Sequence, residues 1–315
     1  MNINKLYYLV KPLLPRAVQI GLRRRVIEMK LPRYDGIWPI DERSASPPSD
    51  WTGWPDQKRF AVVLTHDVEL AKGQARCEKL LRLEQQHGFV SSFNFVPERY
   101  DVSPEVRDML TRNGFEVGVH GLKHDGKLYQ TRETFAERAV HINRYLKEWG
   151  AVGFRSPAMH HNLDWLQDLD IEYDLSTFDT DPFEPQADGM GTIFPFYVEG
   201  TKGRTGYLEL PYTLVQDFTL LVLMNAKSID IWKRKVDWLV EHGGMVLVNV
   251  HPDYMAFDGD KPSLEEFPAE LYAQLLDYIR LSYAGEYWHG LPKDLTRQLM
   301  AARRAQTSPG RQSVA

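Results

Sequence analysis

Phe60-Ala61-Val62-Val63-Leu64-Thr65-His66-Asp67-Val68-Glu69 changes character halfway along. Its first five residues are apolar, a run of strand length, and a histidine and two acids follow. A buried strand that ends this way delivers chemistry to the carboxyl edge of a sheet, where parallel α/β barrels build their active sites. The pattern recurs further along. Phe115-Glu116-Val117-Gly118-Val119 leads into His120-Gly121-Leu122-Lys123-His124, and Met245-Val246-Leu247-Val248-Asn249-Val250 leads into His251-Pro252. A shorter apolar stretch, Val152-Gly153-Phe154, precedes Arg155-Ser156-Pro157. Side chains from separate strand ends can converge on one cleft.

Between these strands lie helical patterns. They cover 71–87, 104–113 (Ser103 as N-cap, Pro104 in the first turn), 131–149, a stretch near 226–242, and 264–284. Further strands are expected over 91–96, 173–177 and 207–210. Strands alternating with helices imply a mostly parallel sheet, and one long alternation favours an α/β barrel over two domains. The expected barrel spans 59–300. Ahead of it lie a basic amphipathic arm (1–33) and an irregular, Ser/Pro-rich linker (34–58). Residues 306–315 read as a disordered tail.

The 315 residues are 43% hydrophobic, enough for a sizeable core. With 38 basic and 43 acidic residues the net charge is -5, which argues against nucleic acid as the main partner. One cysteine, Cys77, excludes an internal disulfide and suits a reducing compartment. No stretch approaches the roughly 20 apolar residues of a membrane span, and Lys11, Pro12 and Pro15 interrupt any N-terminal signal core. The expected location is the cytoplasm. In the arm, eight basic residues from Lys5 to Arg33 face a single acid, Glu28, with apolar residues between them. The arm reads in two ways: docking to the inner, anionic face of a membrane, or packing against the barrel with its charges in water.

Each candidate site residue also has a structural reading. His120 and His124 are four apart, which in a helical turn puts both rings on one face, and neutral imidazole is a good zinc ligand. Two unrelated loop histidines would give the same letters. Asp67 and Glu69 sit just past a buried strand, where acids are costly unless paired, hydrated or metal-bound. A solvated turn favoured by the next helix dipole is the alternative for Glu69. His66 points away from Asp67 on an alternating strand, as a buried, hydrogen-bonded histidine would. Arg155 can hold a carboxylate in one orientation or form a structural ion pair. His251 closes the cleanest strand. Of Asp174, Asp179 and Asp181, one could orient a catalytic histidine or arginine, and Asp179 is taken as the candidate.

In order and position these segments resemble the polysaccharide deacetylases, the carbohydrate esterase family 4 or NodB-homology group, over about residues 60–255. The family's T-F-D-D-G motif falls on Thr65-His66-Asp67-Val68-Glu69, its H-S/T-x-x-H on His120 through His124, its R-x-P on Arg155-Ser156-Pro157, and its histidine-ended strand on Leu247 through His251. The resemblance implies a distorted (β/α)7 barrel of TIM-like form, one divalent metal, usually zinc, and hydrolysis of an acetyl group on a carbohydrate. It makes His120 and His124 metal ligands, His251 the acid, and Arg155 the residue that steadies the base. The first motif departs from the family. Asp67 matches the base, but Val68 stands at the ligand position, with Glu69 one residue on. Either Glu69 supplies the missing oxygen, or Asp67 binds the metal and Glu69 is the base, or the site is degraded. The sequence is similar to a divergent branch with an H-D-V-D/E form.

The leading expectation is a metal-dependent deacetylase acting on an acetylated cell-envelope or exopolysaccharide precursor. The alternatives are an allantoinase-like hydrolase of a non-sugar amide and an inactive glycan-binding or scaffolding barrel. Substrate identity and oligomeric state are not readable from the letters.

Overall fold

The structure, a computed structural model, describes residues 15–201 and 203–307. In chain order its strands are β1 (Phe60–Val68), β2 (Ser92–Phe95), β3 (Glu116–His120), β4 (Gly153–Arg155), β5 (Tyr173–Asp174), β6 (Phe196–Val198), β7 (Tyr207–Glu209), β8 (Met245–Val250), β9 (Met255–Ala256), β10 (Phe267–Pro268) and β11 (Tyr287–His289). Every residue of β1 is buried, because the strand is paired on both edges and covered on both faces. β8 lies parallel along one edge, from Ala61↔Met245 to His66↔Val250. On the other edge β11 pairs with the first half and β2 with the second, again parallel.

The sheet continues in parallel through β2, β3, β4, β5 and β7, and only β6 runs antiparallel at the far edge. It then curls back on itself. Phe178 bridges Tyr212, and the Thr213 and Leu214 N–H groups donate to Leu247 O at 3.2 Å. The Thr213 hydroxyl donates to Met245 O at 2.6 Å and accepts from Leu247 N at 3.0 Å. These bonds join the β7 side to β8. The result is the expected distorted barrel, walled by β1, β2, β3, β4, β5, β7 and β8.

Helices pack outside. Ser103 caps Pro104–Arg112 by accepting from Val106 N, and Thr131 caps Arg132–Trp149 by accepting from Thr134 N. The main core joins β1 and β8 to Trp232, Leu276 and Ile279 of the covering helices. Each such large side chain contributes about 1.5–3 kcal/mol by leaving water.

The element boundaries differ from expectation in several places. The helix expected over 71–87 breaks into Ala71–Gln74 and Cys77–His87, and the later ones contract to Asp230–Glu241 and Ala269–Ser282. Residues 31–57 contain short 3-10 turns. Strand β11 and a closing helix, Pro292–Thr307, were not anticipated. That helix takes in Gln306 and Thr307, so the tail expectation fails for these two. The rest of the expected tail, 308–315, and the first 14 residues of the arm lie outside the described residues. The remainder of the arm forms the helix Arg16–Lys30, which buries Gln19, Ile20 and Ile27. Among the described residues no helix is long and apolar enough to cross a membrane.

Candidate metal centre

β3 ends at His120, and the chain then turns sharply. Gly121 takes φ +61°, and a Cβ there would strike the Pro157 ring. His124 also lies in the left-handed region, φ +52°, a conformation that costs a non-glycine residue about 1–3 kcal/mol. The helical turn considered for this spacing is therefore not what joins the two imidazoles. A loop with two left-handed residues does, and it brings the ring centroids to 5.2 Å.

Glu69 completes the group. Ligand atoms of Glu69, His120 and His124 all lie within 4.8 Å of one another. The strand explains why Glu69 can stand in for a residue at position 68. Alternation sends Val68 into the core, fully buried, and returns residue 69 to the face that carries residue 67. Glu69 is held from three sides. Its N–H donates to Asp253 Oδ2 at 2.8 Å, its Oε2 accepts from Tyr254 OH at 3.1 Å, and its Oε1 lies 2.9 Å from His124 Nε2. Burial would raise its carboxyl, but the imidazoles of His124, His251 and His120 hold it well below the usual carboxylate range.

The residues fit a divalent cation. Among the described residues, the buried Nε2 atoms of His120 and His124 have no hydrogen-bond partner of acceptable geometry, the nearest acceptor to His124 being the Glu69 carboxylate that would share the cation. The other His120 nitrogen, Nδ1, meets Arg155 O at 3.1 Å, a contact that places the proton on Nδ1 and leaves the Nε2 lone pair for a metal. Burial draws the His120 pKa down to about 4, so the ring is neutral at neutral pH, as a ligand must be. Two imidazoles and one carboxylate form a common zinc donor set.

Asp67 stands beside this group with both oxygens occupied. Asn94 Nδ2 donates to Oδ1 at 3.2 Å, Asn249 Nδ2 to Oδ2 at 3.0 Å, and Arg155 Nη1 lies 3.4 Å from Oδ1. Burial would raise its carboxyl, yet Arg155 first, then His120, His251 and Asn249, hold it down at about 2. Arg155 is itself fixed. Nε donates to Leu175 O at 2.9 Å and Nη1 to the Thr65 hydroxyl at 3.0 Å. Gly118 matters here, because a Cβ on it would collide with Asn94 Oδ1.

His251 faces Asp67 from the end of β8. Asp67 Oδ2 is 3.9 Å from His251 Nε2 and also 3.9 Å from His120 Nε2, so it sits between the two rings. Burial alone would depress the His251 imidazole, but the Asp217 carboxylate beside Nδ1 overrides it and pushes the pKa up to about 10. At neutral pH the site thus sets an ionised Asp67 between a trio that could hold a cation and a protonated His251 imidazole. His124 also lines a small pocket with Leu122, Lys123, Tyr129, Pro157 and His160.

Of the seven candidates, Asp67, Glu69, His120, His124, Arg155 and His251 come together, and Asp179 does not. Its Oδ2 accepts from the buried Lys235 ammonium at 2.5 Å, and it touches neither His251 nor Arg155. Asp174 accepts from Ser176, and Asp181 from Tyr212. The acid that orients His251 is Asp217, missed in the sequence. A signal was available: it is the lone acid in the apolar run 210–224, where a carboxylate is expensive without a partner. Asn94, Asn249 and Asp253 were also missed, and Tyr254, readable only as a ring that could stack on a sugar or pack in its loop, instead donates to Glu69. His66 points away from the site, into a buried network with Glu84, Tyr272 and Ser91.

No family model matches the chain, and no curated protein matches it. Solved structures do. A Mycobacterium smegmatis protein assigned as a polysaccharide deacetylase superposes with a TM-score of 0.61 at 19% identity, over 85% of this chain and 98% of that one. Puue allantoinase superposes at 0.56 and 16%, over 84% and 96%. A Pseudomonas aeruginosa PAO1 protein also assigned as a polysaccharide deacetylase gives 0.56 and 16%, over 84% and 97%. At such identities the likeness is one of fold.

Proposed function

We propose that this chain, which has the polysaccharide-deacetylase fold, is a metal-dependent hydrolase that removes an acetyl group from a carbohydrate. One observation carries the reading. Glu69, His120 and His124 converge within 4.8 Å, with buried imidazole Nε2 atoms, beside an Asp67 that is flanked by a protonated His251. Glu69, His120 and His124 hold the cation, zinc in the first instance. When bound it supplies a lowered pKa for water and polarisation of the acetyl carbonyl.

The remaining roles follow from the residues. Asp67 accepts the proton of the attacking water. Its low pKa keeps it ionised at any physiological pH, and Asn94, Asn249 and Arg155 fix the direction of its lone pairs. His251 carries a proton at neutral pH and gives it to the departing amine or alcohol. Asp217 fixes its ring and keeps it charged. This favours Glu69 as the ligand and Asp67 as the base. Both Asp67 oxygens are already engaged by amide donors, while Glu69 Oε1 faces His124. The same geometry weighs against a purely scaffolding barrel, since Glu69 offers the oxygen that Val68 cannot. The buried free thiol of Cys77 is compatible with a cytoplasmic setting.

The fold shared with an allantoinase favours a second reading, hydrolysis of a cyclic amide by the same residues. One screen separates the two. Zinc-loaded protein is offered acetylated amino sugars, acetylated sugar esters and cyclic ureides. Acetate release supports the first reading and ring opening the second. Absence of bound metal together with no turnover of any of them would remove both.

A further inference from the structure

The helix Arg16–Lys30 has two faces, and the barrel uses only one. Gln19, Ile20 and Ile27 are buried. On that side the Arg24 guanidinium donates twice to Val222 O, at 3.2 and 2.8 Å, and Arg23 lies 5.0 Å over the Phe218 ring. Arg16 pairs with Glu265 at 2.5 Å. The helix is therefore fixed to the body, and close to the site. Phe218 packs 4.6 Å from the Tyr254 ring, whose hydroxyl holds Glu69.

The opposite face is apolar and exposed. Val18, Leu22, Val26 and Met29 recur at spacings of four, four and three, which at 100° per residue keeps them in one stripe. They are 45, 47, 43 and 60% exposed, and Leu31, just past the helix, is 39% exposed. Single exposed hydrophobics need no explanation, but a continuous stripe along a helix marks a contact surface. Arg25, Lys30 and Arg33 border this stripe and are exposed, and Glu28, paired with Arg25 at 3.3 Å, is the only acid from residue 15 to 33. Apolar residues flanked by cations match a lipid bilayer with anionic headgroups: the acyl boundary takes the stripe and the phosphates take the flanks.

We propose that the helix Arg16–Lys30 is an interfacial anchor, which lays its Val18–Leu22–Val26–Met29 face on an anionic membrane. The anchor does not depend on what the metal centre hydrolyses. Its partner is the lipid surface itself.

The test uses the full chain and two vesicle preparations, phosphatidylcholine alone and phosphatidylcholine mixed with phosphatidylglycerol, in a sedimentation assay at low salt. Binding to the mixed vesicles is expected to exceed binding to the neutral ones about tenfold or more, and to weaken as salt rises. Replacing the stripe (Val18→Ser, Leu22→Ser, Val26→Ser, Met29→Ser) should abolish sedimentation. So should Arg25→Glu with Lys30→Glu and Arg33→Glu. These positions are exposed, so both variants are expected to keep the wild-type circular dichroism spectrum and melting temperature. If a serine variant melts with the wild type, its vesicle result decides. If it does not, a single Leu22→Asp substitution replaces it. No wild-type binding to anionic vesicles overturns the proposal, as does binding that survives loss of the stripe. Concentration-dependent dimerisation that needs the stripe, without vesicle binding, also overturns it and assigns the face to a second copy.

Discussion

His251 Nδ1 lies 2.7 Å from Asp217 Oδ1, and the other oxygen of the same carboxylate takes the His251 backbone N–H at 2.7 Å. One buried acid thus sets both where the ring sits and what charge it carries. Its own seat is built locally, since Phe218 N donates back to Oδ1 at 2.7 Å. The pair spans 34 residues and joins the start of the π-helical turn Phe218–Leu223 to the end of β8.

The pH consequence follows in sign. The His251 pKa rises from an ordinary 6.5 to about 10 in the fold. Its contribution to stability is full below 6.5 and is lost as pH rises through about 10. Asp217→Asn removes the carboxylate that raises it. The imidazole should then titrate well below 10 in a histidine NMR titration, and the alkaline limb of kcat should move down with it. Activity at neutral pH should fall about 10- to 100-fold, the usual loss when the partner orienting a functional histidine is removed. A titration midpoint unmoved in the variant would contradict the assignment.

Metal binding and proton acceptance are separable by substitution. His120→Ala, His124→Ala and Glu69→Ala should each lower zinc content by elemental analysis and weaken the zinc-induced rise in Tm. In the wild type, zinc at a hundred times its Kd should add about 2.7 kcal/mol. Asp67→Asn should keep zinc and the Tm response but reduce turnover, by about 100-fold or more for loss of a general base. If Asp67→Asn loses zinc while Glu69→Ala keeps it, the two roles are exchanged.

How far these roles were readable depends on the range of the contact. β1 and β8 open as contiguous apolar runs because a parallel barrel buries both faces of its strands, and each announces itself by its own letters. The candidates at their ends follow from strand direction. Asn249 reaches Asp67 across 182 residues and Asp217 reaches His251 across 34, and no local pattern encodes such pairs. Asp179 misled for the same reason: its neighbours in sequence include two more acids, whereas its partner, Lys235, is on a distant helix. β11 is three residues long and pairs only with the first half of β1, too short to show any periodicity.

Lys235 and Asp179 form a buried pair that the site does not use. Lys235→Met should leave an uncompensated carboxylate in the core and destabilise the fold by about 3–5 kcal/mol, measured by urea unfolding. The double variant Lys235→Met, Asp179→Leu should recover most of that loss. In both, zinc content per folded molecule and kcat should stay near wild type. A large fall in kcat with zinc retained would restore Asp179 to the site.

Gly118 tests the clamp on Asp67 without touching a charged group. It pairs with Asn94 across β2 and β3, and an added Cβ would meet Asn94 Oδ1. Gly118→Ala must therefore push the Asn94 amide away from Asp67. Overpacking at a buried site typically costs about 1–3 kcal/mol, so the variant should still fold. The Asp67 carboxylate loses one of its two amide donors but keeps Asn249 and the Arg155 contact. The expected result is a fall in kcat with little change in KM and full zinc occupancy. Pairing it with Asn94→Ala provides the control. If the glycine acts through Asn94, the double variant is no slower than the worse single one; additive losses would mean that Gly118 serves the strand pairing alone.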